Sequence, residues 1–412
     1  MWGTKNNPAV KPYSPEERGY WSNTLMVKVV LLGLFFASSV GAQTTKSRLG
    51  TQLGTLQVAS LSLLNNERRP FDRPYDVLMQ EKYRTAWSVY LDNDLFSFAD
   101  RDQDYTGGFT LSLSGRRAKD YWFSVDGIRR WSDRFSRFER IADHRTSLPL
   151  HSFETGVMAF TPQDISQTEP VLDDRPYSSL VFVSNLRQRV LPLENVSYQS
   201  SFTLGVLGLS VVAELQNELH EWFGGDMAYG WDHQISDGGE LTARYAISRQ
   251  ATHWQRLAKT NKSIEVTSSL GASLGYISDV HIGLSGRWGR IRSPWWTVNP
   301  QLTDYRSRTE ATVINNFGES QHRNEFYVWA GANLSLNFYN AFLQGQFRHS
   351  EVRFSRSELN SVVMDAWLGV TRQLKNGFRI SIHLRVRSPE LKINENRRAP
   401  VWGGLIFSYA VS

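Results

Sequence analysis

Residues 378–387 read FRISIHLRVR, and apolar and polar side chains alternate strictly along this stretch. In an extended chain the phenylalanine, isoleucines, leucine and valine lie on one face, and the arginines, serine and histidine lie on the other. The same alternation occurs in residues 280–289 (VHIGLSGRWG) and 109–114 (FTLSLS). A period of two predicts β-strands that have one apolar face and one polar face.

The number and length of such segments favour a membrane protein. Membrane strands need about 9–11 residues, whereas strands of globular proteins average about 5–6. Most of the candidate strands have 10–14 residues, and their number, twelve, is even, as in single-chain bacterial barrels. We therefore predict an all-β fold, a transmembrane antiparallel β-barrel of about twelve strands with short helices in its connections; a soluble periplasmic sandwich remains the alternative. The candidate strands are 85–96, 107–118, 152–162, 178–190, 195–208, 240–253, 263–276, 279–290, 325–339, 361–373, 376–388 and 400–412.

The sequence also predicts the structure of three further segments. Residues 341–350 are interpreted as a strand extension or loop, because a thirteenth strand would make the number odd. Residues 119–150 look helical, with apolar positions at Ile128, Trp131, Phe135 and Phe138. In the last strand, Phe407 and Tyr409 share one face, as expected for an aromatic band at a membrane interface.

Composition excludes several classes of protein. Aromatic residues make up 13% of the 412 residues, which is too many for a disordered chain. A mean hydropathy of −0.39 excludes a bundle of transmembrane helices. The absence of cysteine excludes a disulfide scaffold, a cysteine nucleophile and cysteine-ligated metal sites. The net charge of +6 is too small and too evenly spread to indicate nucleic-acid binding.

The N-terminal region predicts export. Lys28 precedes an apolar run over 29–37, and small residues at Val40 and Ala42 suit a signal peptidase. We expect residues 1–42 to comprise an upstream extension and a signal peptide, Met26–Ala42. Residues 43–84 would form an N-terminal arm and residues 85–412 the outer-membrane barrel.

Residues that could take part in catalysis or metal binding lie in three connections between the predicted strands. With the N-terminus in the periplasm, the first, third and fifth connections all face outward, so they should meet at the external mouth. The first is acidic over 92–104, which suits a hard cation such as Ca²⁺ or, alternatively, a plain surface loop. The fifth has helical character and places Gln216 and His220 on one helix face, where His220 is a candidate general base or merely a solvated side chain.

Six short motifs occur in order in these connections. They are Asn93-Asp94, DYTGG at 104–108, Thr161-Pro162, DRPY at 174–177, QNELH at 216–220 and WDHQ at 231–234. Together, in this order, they resemble the outer-membrane lipid A 3′-O-deacylase family. The sequence contains no Gly-x-Ser-x-Gly elbow and no His-Glu-x-x-His pair, so neither a serine triad nor a zinc protease is supported.

The resemblance implies a calcium-dependent hydrolase that removes an ester-linked acyl or acyloxyacyl chain from the 3′ position of lipid A. The implied partner is the lipopolysaccharide of the outer leaflet, and the implied location is the bacterial outer membrane with the site facing that leaflet. The implied roles are general base (His220), catalytic neighbours (Gln216, Asn93, Asp226), substrate binding (Arg175, Tyr177) and Ca²⁺ binding (Asp94, Thr106).

This sequence departs from the family pattern at two positions. The family lysine of the third connection is missing, since Arg175 is the sole cation between Thr161 and Tyr177 and Gln167 stands near the expected place. Gly238 stands where many relatives carry glutamate. A barrel without enzymatic activity, porin-like or adhesin-like, remains the alternative function.

Overall fold

A closed β-barrel dominates the computed structural model, which describes residues 81–93, 104–142, 148–223, 225–257, 262–297, 324–392 and 398–410. The predicted signal peptide, most of the predicted arm and Asp94 lie outside these residues. The compact unit that contains the barrel comprises Asn66–Glu218 and Asp226–Ser412, and the segment Leu219–Gly225 belongs to a second unit.

Each strand of the barrel pairs antiparallel with its neighbours in the chain, and β1 pairs with β12 to close the sheet. Closure gives every strand two partners, so no edge with unpaired backbone groups is left in the membrane. The strands are β1 (Ala86–Asn93), β2 (Asp104–Ser114), β3 (Leu148–Thr161), β4 (Ser178–Leu191), β5 (Val196–Leu207), β6 (Glu240–Leu257), β7 (Ser263–Gly275), β8 (Ile277–Arg290), β9 (Glu325–Asn340), β10 (Val362–Gln373), β11 (Phe378–Arg387) and β12 (Val401–Ala410).

The predicted twelve strands are confirmed, with ends within four residues of those observed. Residues 341–350 were expected to extend a strand or form a loop; they begin with a helical turn, Ala341–Gln344, and continue as a loop over 345–350. The Asn340 side chain caps this turn by accepting a hydrogen bond from the Phe342 amide, at 3.1 Å. This local cap ends β9 and explains why no thirteenth strand forms.

The exposure of the alternating side chains distinguishes the barrel from a sandwich. On β8, Ile282 and Leu284 are more than half exposed, whereas His281 and Arg287 are buried. The polar face therefore lines the interior, which we call the lumen, and the apolar face forms the outer wall. A soluble sandwich would show the opposite pattern, because its apolar faces form the core.

The buried charges in the lumen are paired across neighbouring strands. Arg387 contacts Asp365 at 2.6 Å, and Arg287 forms an ion pair with Glu265. Charged groups that are removed from water need such partners, because an unpaired buried charge costs several kcal/mol. Pairing across the sheet therefore lets this polar interior be stable.

The two ends of the barrel differ in their connections. We call the end with the connections after β1, β3, β5, β7, β9 and β11 the odd mouth, and the opposite end the even mouth. Just inside the odd mouth, apolar side chains from most sides of the barrel meet across the lumen. Phe160 packs on Tyr105 and on Phe342, with ring centroids 5.3 and 4.8 Å apart. We call this layer the lumen cluster; it consists of Tyr105, Met158, Phe160, Leu180, Phe182, Leu207, Tyr276, Ile277, Ala341, Phe342 and Trp402.

Short helices occur in the connections. They are α1 (Asp126–Phe135), α2 (Phe138–Ala142), α3 (Ser210–Phe223) and α4 (Ala341–Gln344). The helical character expected for 119–150 is thus confirmed for α1 and α2. Within the described residues, no helix combines the length and the apolar character needed to cross a bilayer.

The predicted aromatic band is present on the outer wall near the even mouth. Tyr409 packs on Trp87 of the adjacent β1, with centroids 6.1 Å apart, and Phe407 stacks on Phe378 at 6.3 Å. Such girdles lie where the hydrocarbon region meets the headgroups. The band therefore marks one membrane boundary of the barrel.

The lumen ion pairs generate a stability prediction. Glu265→Ala leaves Arg287 buried without its carboxylate, so we expect a loss of about 3–5 kcal/mol in the free energy of unfolding. Urea-induced unfolding of the barrel in lipid vesicles measures this loss. Leu284→Ala, on the outer wall of β8, is the matched control and should cost less than about half as much. Equal losses for the two variants would contradict the account of the lumen.

Candidate functional site on the outer wall

Asn93 is the last residue of β1 and faces outward. Its predecessor Asp92 faces the lumen, where its carboxylate lies 3.8 Å from His383 Nε2, so alternation turns Asn93 to the outer wall. Asn93 Nδ2 donates a hydrogen bond of 2.5 Å to the Thr106 carbonyl oxygen. Asn93 is thus linked to the start of β2 on the outer wall.

Thr106 lies beside Asn93 at the start of β2. Its hydroxyl is 2.6 Å from the hydroxyl of Thr161, at the end of β3, and both side chains are buried. Gly107 faces Asn93 in the sheet, and a Cβ there would lie 3.0 Å from the Asp92 carbonyl oxygen. A larger residue at position 107 would therefore push the two strands apart at the site.

The first turns of α3 pack against the same outer wall. Val212 and Ala213 contact a cluster that contains Ala159 of β3 and Val181 of β4. Both strand residues alternate with lumen-cluster residues, Phe160 and Leu180, and so point outward. The first turns of α3 therefore lie on the outside of the barrel near the odd mouth.

Gln216 lies on α3 and is anchored by an aromatic pair. Trp231 Nε1 donates to Gln216 Oε1 at 2.9 Å, and the Trp231 ring packs on Tyr177 with centroids 4.9 Å apart. Gln216 is 7% exposed, and within the described residues its Nε2 has no hydrogen-bond acceptor. A buried amide donor without an acceptor is costly, so it is suited to a ligand oxygen.

The third and fifth connections meet, as the topology predicts. The Ile235 amide donates to the Tyr177 carbonyl at 2.8 Å, and the Ser179 hydroxyl donates to Gln234 Oε1 at 3.0 Å. Gly230 allows the close approach, because a Cβ there would lie 2.6 Å from the Tyr177 ring. Tyr177 is thus held between the two connections.

Arg175 is buried, whereas a residue that binds a phosphate at the protein surface would be exposed. Its Nη2 lies 2.5 Å from Glu390 Oε2, and its guanidinium lies 5.2 Å from the centre of the Phe160 ring. Next to it, Asp174 pairs with Arg398 at 2.7 Å. The role of Arg175 in substrate binding therefore stays a prediction, and any phosphate would share the guanidinium with Glu390.

The polar loop of the third connection is ordered by local hydrogen bonds. The Ser166 hydroxyl and the Gln167 amide donate to the Asp164 carboxylate at 2.6 and 2.8 Å. These bonds, that from Ser166 first, hold the pKa of Asp164 below its usual range. Gln167, near the position of the family lysine, is therefore engaged with Asp164.

The remaining predicted residues can be placed on their elements. His220 lies in the last turn of α3, four residues after Gln216, and its carbonyl oxygen accepts a hydrogen bond from the Gly225 amide at 2.9 Å. It belongs to the second compact unit, so its role stays a prediction. Asp226 is exposed and directly follows the segment Leu219–Gly225. Two residues later, the Ala228 amide donates a hydrogen bond to the Asn217 side chain at 2.9 Å.

The donor set around Asn93 is made of oxygens. The hydroxyls of Thr106 and Thr161 lie beside the Asn93 amide, and oxygen ligands suit Ca²⁺. In the described part of the chain, no group of three His, Asp or Glu residues is arranged to hold a metal ion. Asp94, which the sequence places next to Asn93, lies outside that part, so the predicted Ca²⁺ site remains untested.

Several residues of this site were not predicted from the sequence. Thr161 belongs to the Thr-Pro motif and Trp231 to the WDHQ motif. Neither motif indicates the contact of Thr161 with Thr106 or of Trp231 with Gln216. Glu390 lies 215 residues from Arg175, and no local pattern could connect the two.

The comparisons with known proteins agree with this architecture. A family profile described as outer membrane protein LpxR matches residues 55–411. The solved structure of LpxR from Salmonella typhimurium has a TM-score of 0.56 and 15% identity, and the match covers 79% of this chain and 99% of that chain.

Other solved structures share less of the fold. The β-domain of the Bordetella autotransporter BrkA has a TM-score of 0.36 at 10% identity, with 80% of this chain and 99% of that chain covered. An outer membrane channel of Pseudomonas putida F1 also has a TM-score of 0.36, at 8% identity, with 82% and 99% covered. No curated protein matches the sequence. The match over residues 55–411 shows that the chain belongs to the LpxR family of outer membrane proteins.

Proposed function

We propose that this protein hydrolyses an ester-linked acyl or acyloxyacyl chain at the 3′ position of lipid A. The observation that supports the proposal is the position of Asn93, Thr106 and Gln216 on the outer side of the barrel wall rather than in the lumen. A lipid substrate can reach such a site by lateral diffusion within its leaflet. A lumen site would require the acyl chains to leave the bilayer.

The proposed orientation places this site in the outer leaflet. If the N-terminus of the barrel lies in the periplasm, β1 runs outward and the odd mouth faces the cell exterior. Asn93, Thr106 and Thr161 all stand at odd-mouth ends of their strands. Lipid A occupies the outer leaflet, so substrate and site meet at the same depth.

In the proposed reaction, His220 is the general base. Its imidazole takes a proton from a water molecule, whose oxygen adds to the ester carbonyl carbon. The bond from that carbon to the 3′ oxygen then breaks, the imidazolium gives its proton to the departing 3′ oxygen, and a fatty acid and a sugar 3′-hydroxyl result. Gln216 Nε2 would donate to the carbonyl oxygen as negative charge develops on it. Asp226 and Asn93 are the further catalytic residues of the proposal.

The proposed cofactor is a calcium ion. Asp94 and Thr106 would hold it, because they supply a carboxylate and a hydroxyl, and Asn93 would lie beside it. When bound, Ca²⁺ polarises the ester carbonyl and stabilises negative charge on its oxygen.

Arg175 and Tyr177 are the proposed substrate-binding residues. Arg175 is 3% exposed and stacks on Phe160 of the lumen cluster, so a glucosamine phosphate would have to displace the residues that cover it before the guanidinium could bind it beside Glu390. Tyr177 lies against Trp231 and thereby sets the position of Gln216.

The porin-like alternative is disfavoured by the lumen cluster. Phe160, Phe342, Trp402 and their neighbours meet across the barrel just inside the odd mouth. A porin keeps its lumen polar and filled with water. An aromatic layer across the interior is better suited to a barrel whose function lies on its outside.

Replacing the proposed base should abolish activity. We expect His220→Ala to lower the release of the 3′ acyl or acyloxyacyl chain by about 100- to 10,000-fold, the range for loss of a general base. Mass spectrometry of lipid A from cells that express each variant measures the release. His253→Ala, an exposed histidine on β6, is the matched control and should behave as wild type. Wild-type release by His220→Ala would remove His220 from the mechanism.

Removing calcium should also stop turnover. We expect a chelator to abolish hydrolysis by the purified barrel in detergent micelles that contain lipid A, and Ca²⁺ in excess of the chelator to restore it. Asp94→Asn should raise the Ca²⁺ concentration needed for half-maximal activity at least tenfold. The heat-modifiable migration of the barrel on gels controls for folding. Full activity in excess chelator would exclude the metal from the reaction.

The free amide donor of Gln216 gives a third prediction. Gln216→Glu keeps an oxygen for Trp231 Nε1 but removes the donor, so we expect kcat to fall about 100-fold with little change in KM. Trp231→Phe loses the anchoring hydrogen bond but keeps the donor, and should lower kcat by less than tenfold. If the two variants lose kcat equally, Gln216 acts through its contact with Trp231 and not on the substrate.

A further inference from the structure

The connection between β2 and β3 lies against the outside of the barrel. Phe123 packs on Phe153 of β3 with ring centroids 4.9 Å apart, and Asn185 of β4 accepts hydrogen bonds from the Val125 amide at 2.8 Å and the Ser124 hydroxyl at 3.0 Å. Phe153 and Asn185 alternate with residues of the lumen face, so both point outward. Helix α1 therefore packs against the outer wall.

The polar side of α1 faces the barrel. Arg129, 1% exposed, binds Asp126 and Asp133 of its own helix at 2.8 and 2.6 Å, and also reaches the Ser200 hydroxyl of β5 at 3.1 Å. Asp133 accepts hydrogen bonds from Ser200 at 3.0 Å and from the Tyr245 hydroxyl of β6 at 2.8 Å.

Arg187 completes this buried contact. It stands on the outer face of β4 and lies 3.0 Å from Asp133. The outer wall thus carries a polar patch at Asn185, Arg187, Ser200 and Tyr245, which a hydrocarbon environment would not tolerate uncovered. Helix α1 covers it with matching charge.

The apolar side of the connection points away from the protein. Trp122 is 92% exposed, Phe135 81% and Trp131 65%, and the rings of Trp131 and Phe135 stack at 5.7 Å. A helix on a water-soluble surface has the opposite arrangement, with its charges outside and its apolar stripe against the core. The orientation of α1 is the one expected in an apolar surrounding.

The exposed aromatic residues continue the lipid-facing surface of the barrel. Near the even mouth the outer wall carries the band of Trp87, Tyr409, Phe378 and Phe407 and the exposed Trp288. The contacts of α1 lie four to six residues from the even-mouth ends of β4 and β5, roughly 13–20 Å along the strands at ~3.3 Å per residue. At a strand tilt of about 40° this length is roughly 10–15 Å of depth, which lies within the ~15 Å hydrocarbon thickness of one leaflet.

The charge of the segment complements lipid phosphates. Residues 116–140 contain eight Arg or Lys and four Asp or Glu, which gives a net charge of +4. The side chains of Arg130 and Arg134 are 60% and 74% exposed beside the aromatic surface, and they also lie 3.2 Å from Asp126 and 3.9 Å from Glu139. Cations next to aromatic residues are typical of membrane interfaces, where each adds attraction to anionic headgroups.

We propose that α1 is a lipid-embedded helix that seals the polar patch of the outer wall from the leaflet at the even mouth. Trp122, Trp131 and Phe135 contact acyl chains, and Arg130 and Arg134 bind lipid phosphates. A second copy of the chain is a poorer occupant, because one face of a ten-residue helix, about 15 Å long, offers far less than the ~800 Å² per partner of a stable interface.

Spin labels test this assignment cleanly, because the chain has no cysteine of its own. Single cysteines are placed at Trp131→Cys and Phe135→Cys, with Ile282→Cys on the outer wall as the lipid control and Leu172→Cys in the third connection as the water control. The labelled full-length barrels are reconstituted into vesicles of phosphatidylcholine and phosphatidylglycerol. Electron paramagnetic resonance then measures how often each label collides with oxygen, which is concentrated in lipid, and with a nickel chelate, which stays in water.

We expect labels at 131 and 135 to give oxygen-to-nickel ratios similar to that at 282 and at least about fivefold above that at 172. A ratio similar to that at 172 would place the face in water and overturn the proposal. Dipolar broadening that disappears when labelled protein is diluted with unlabelled protein would overturn it in favour of a second copy. Heat-modifiable migration of each labelled barrel confirms that it has folded.

Discussion

Closure of the sheet by the pairing of β1 with β12 is the constraint on which the rest of the structure depends. A bilayer offers no hydrogen-bond partners, so a spanning sheet must satisfy all of its backbone groups internally. Once the sheet is closed, alternation sends every second side chain into the lumen. The charged ones, such as Arg287 and Glu265, must then pair there, because they have left water.

The same alternation explains where the candidate chemistry lies. Asp92 and Asn93 are adjacent, yet one faces His383 in the lumen and the other faces Thr106 on the outer wall. A single step along the strand therefore separates a structural carboxylate from a candidate site residue. The first turns of α3 then pack on the outer wall, and Trp231 holds Gln216 there through a hydrogen bond.

Most of the fold could be predicted from the sequence because strand periodicity is a local signal. The candidate site was only partly predictable: short motifs singled out Asn93 and Thr106 as candidates, but the pairing of Arg175 with Glu390 joins residues 215 positions apart. Helix α1 was recognised as helical from Ile128, Trp131 and Phe135. Its orientation was not predicted, because periodicity shows that a helix has an apolar face but not whether protein or lipid covers that face.

The lumen cluster has a consequence for the cell that carries this protein. The outer membrane excludes bile salts, dyes and many antibiotics, and each open pore weakens that exclusion. Here the rings of Tyr105, Phe160, Phe342 and Trp402 pack on one another across the interior and obstruct passage through it. A bacterium could therefore make this barrel in large amounts and remodel its surface without becoming leaky to toxic solutes.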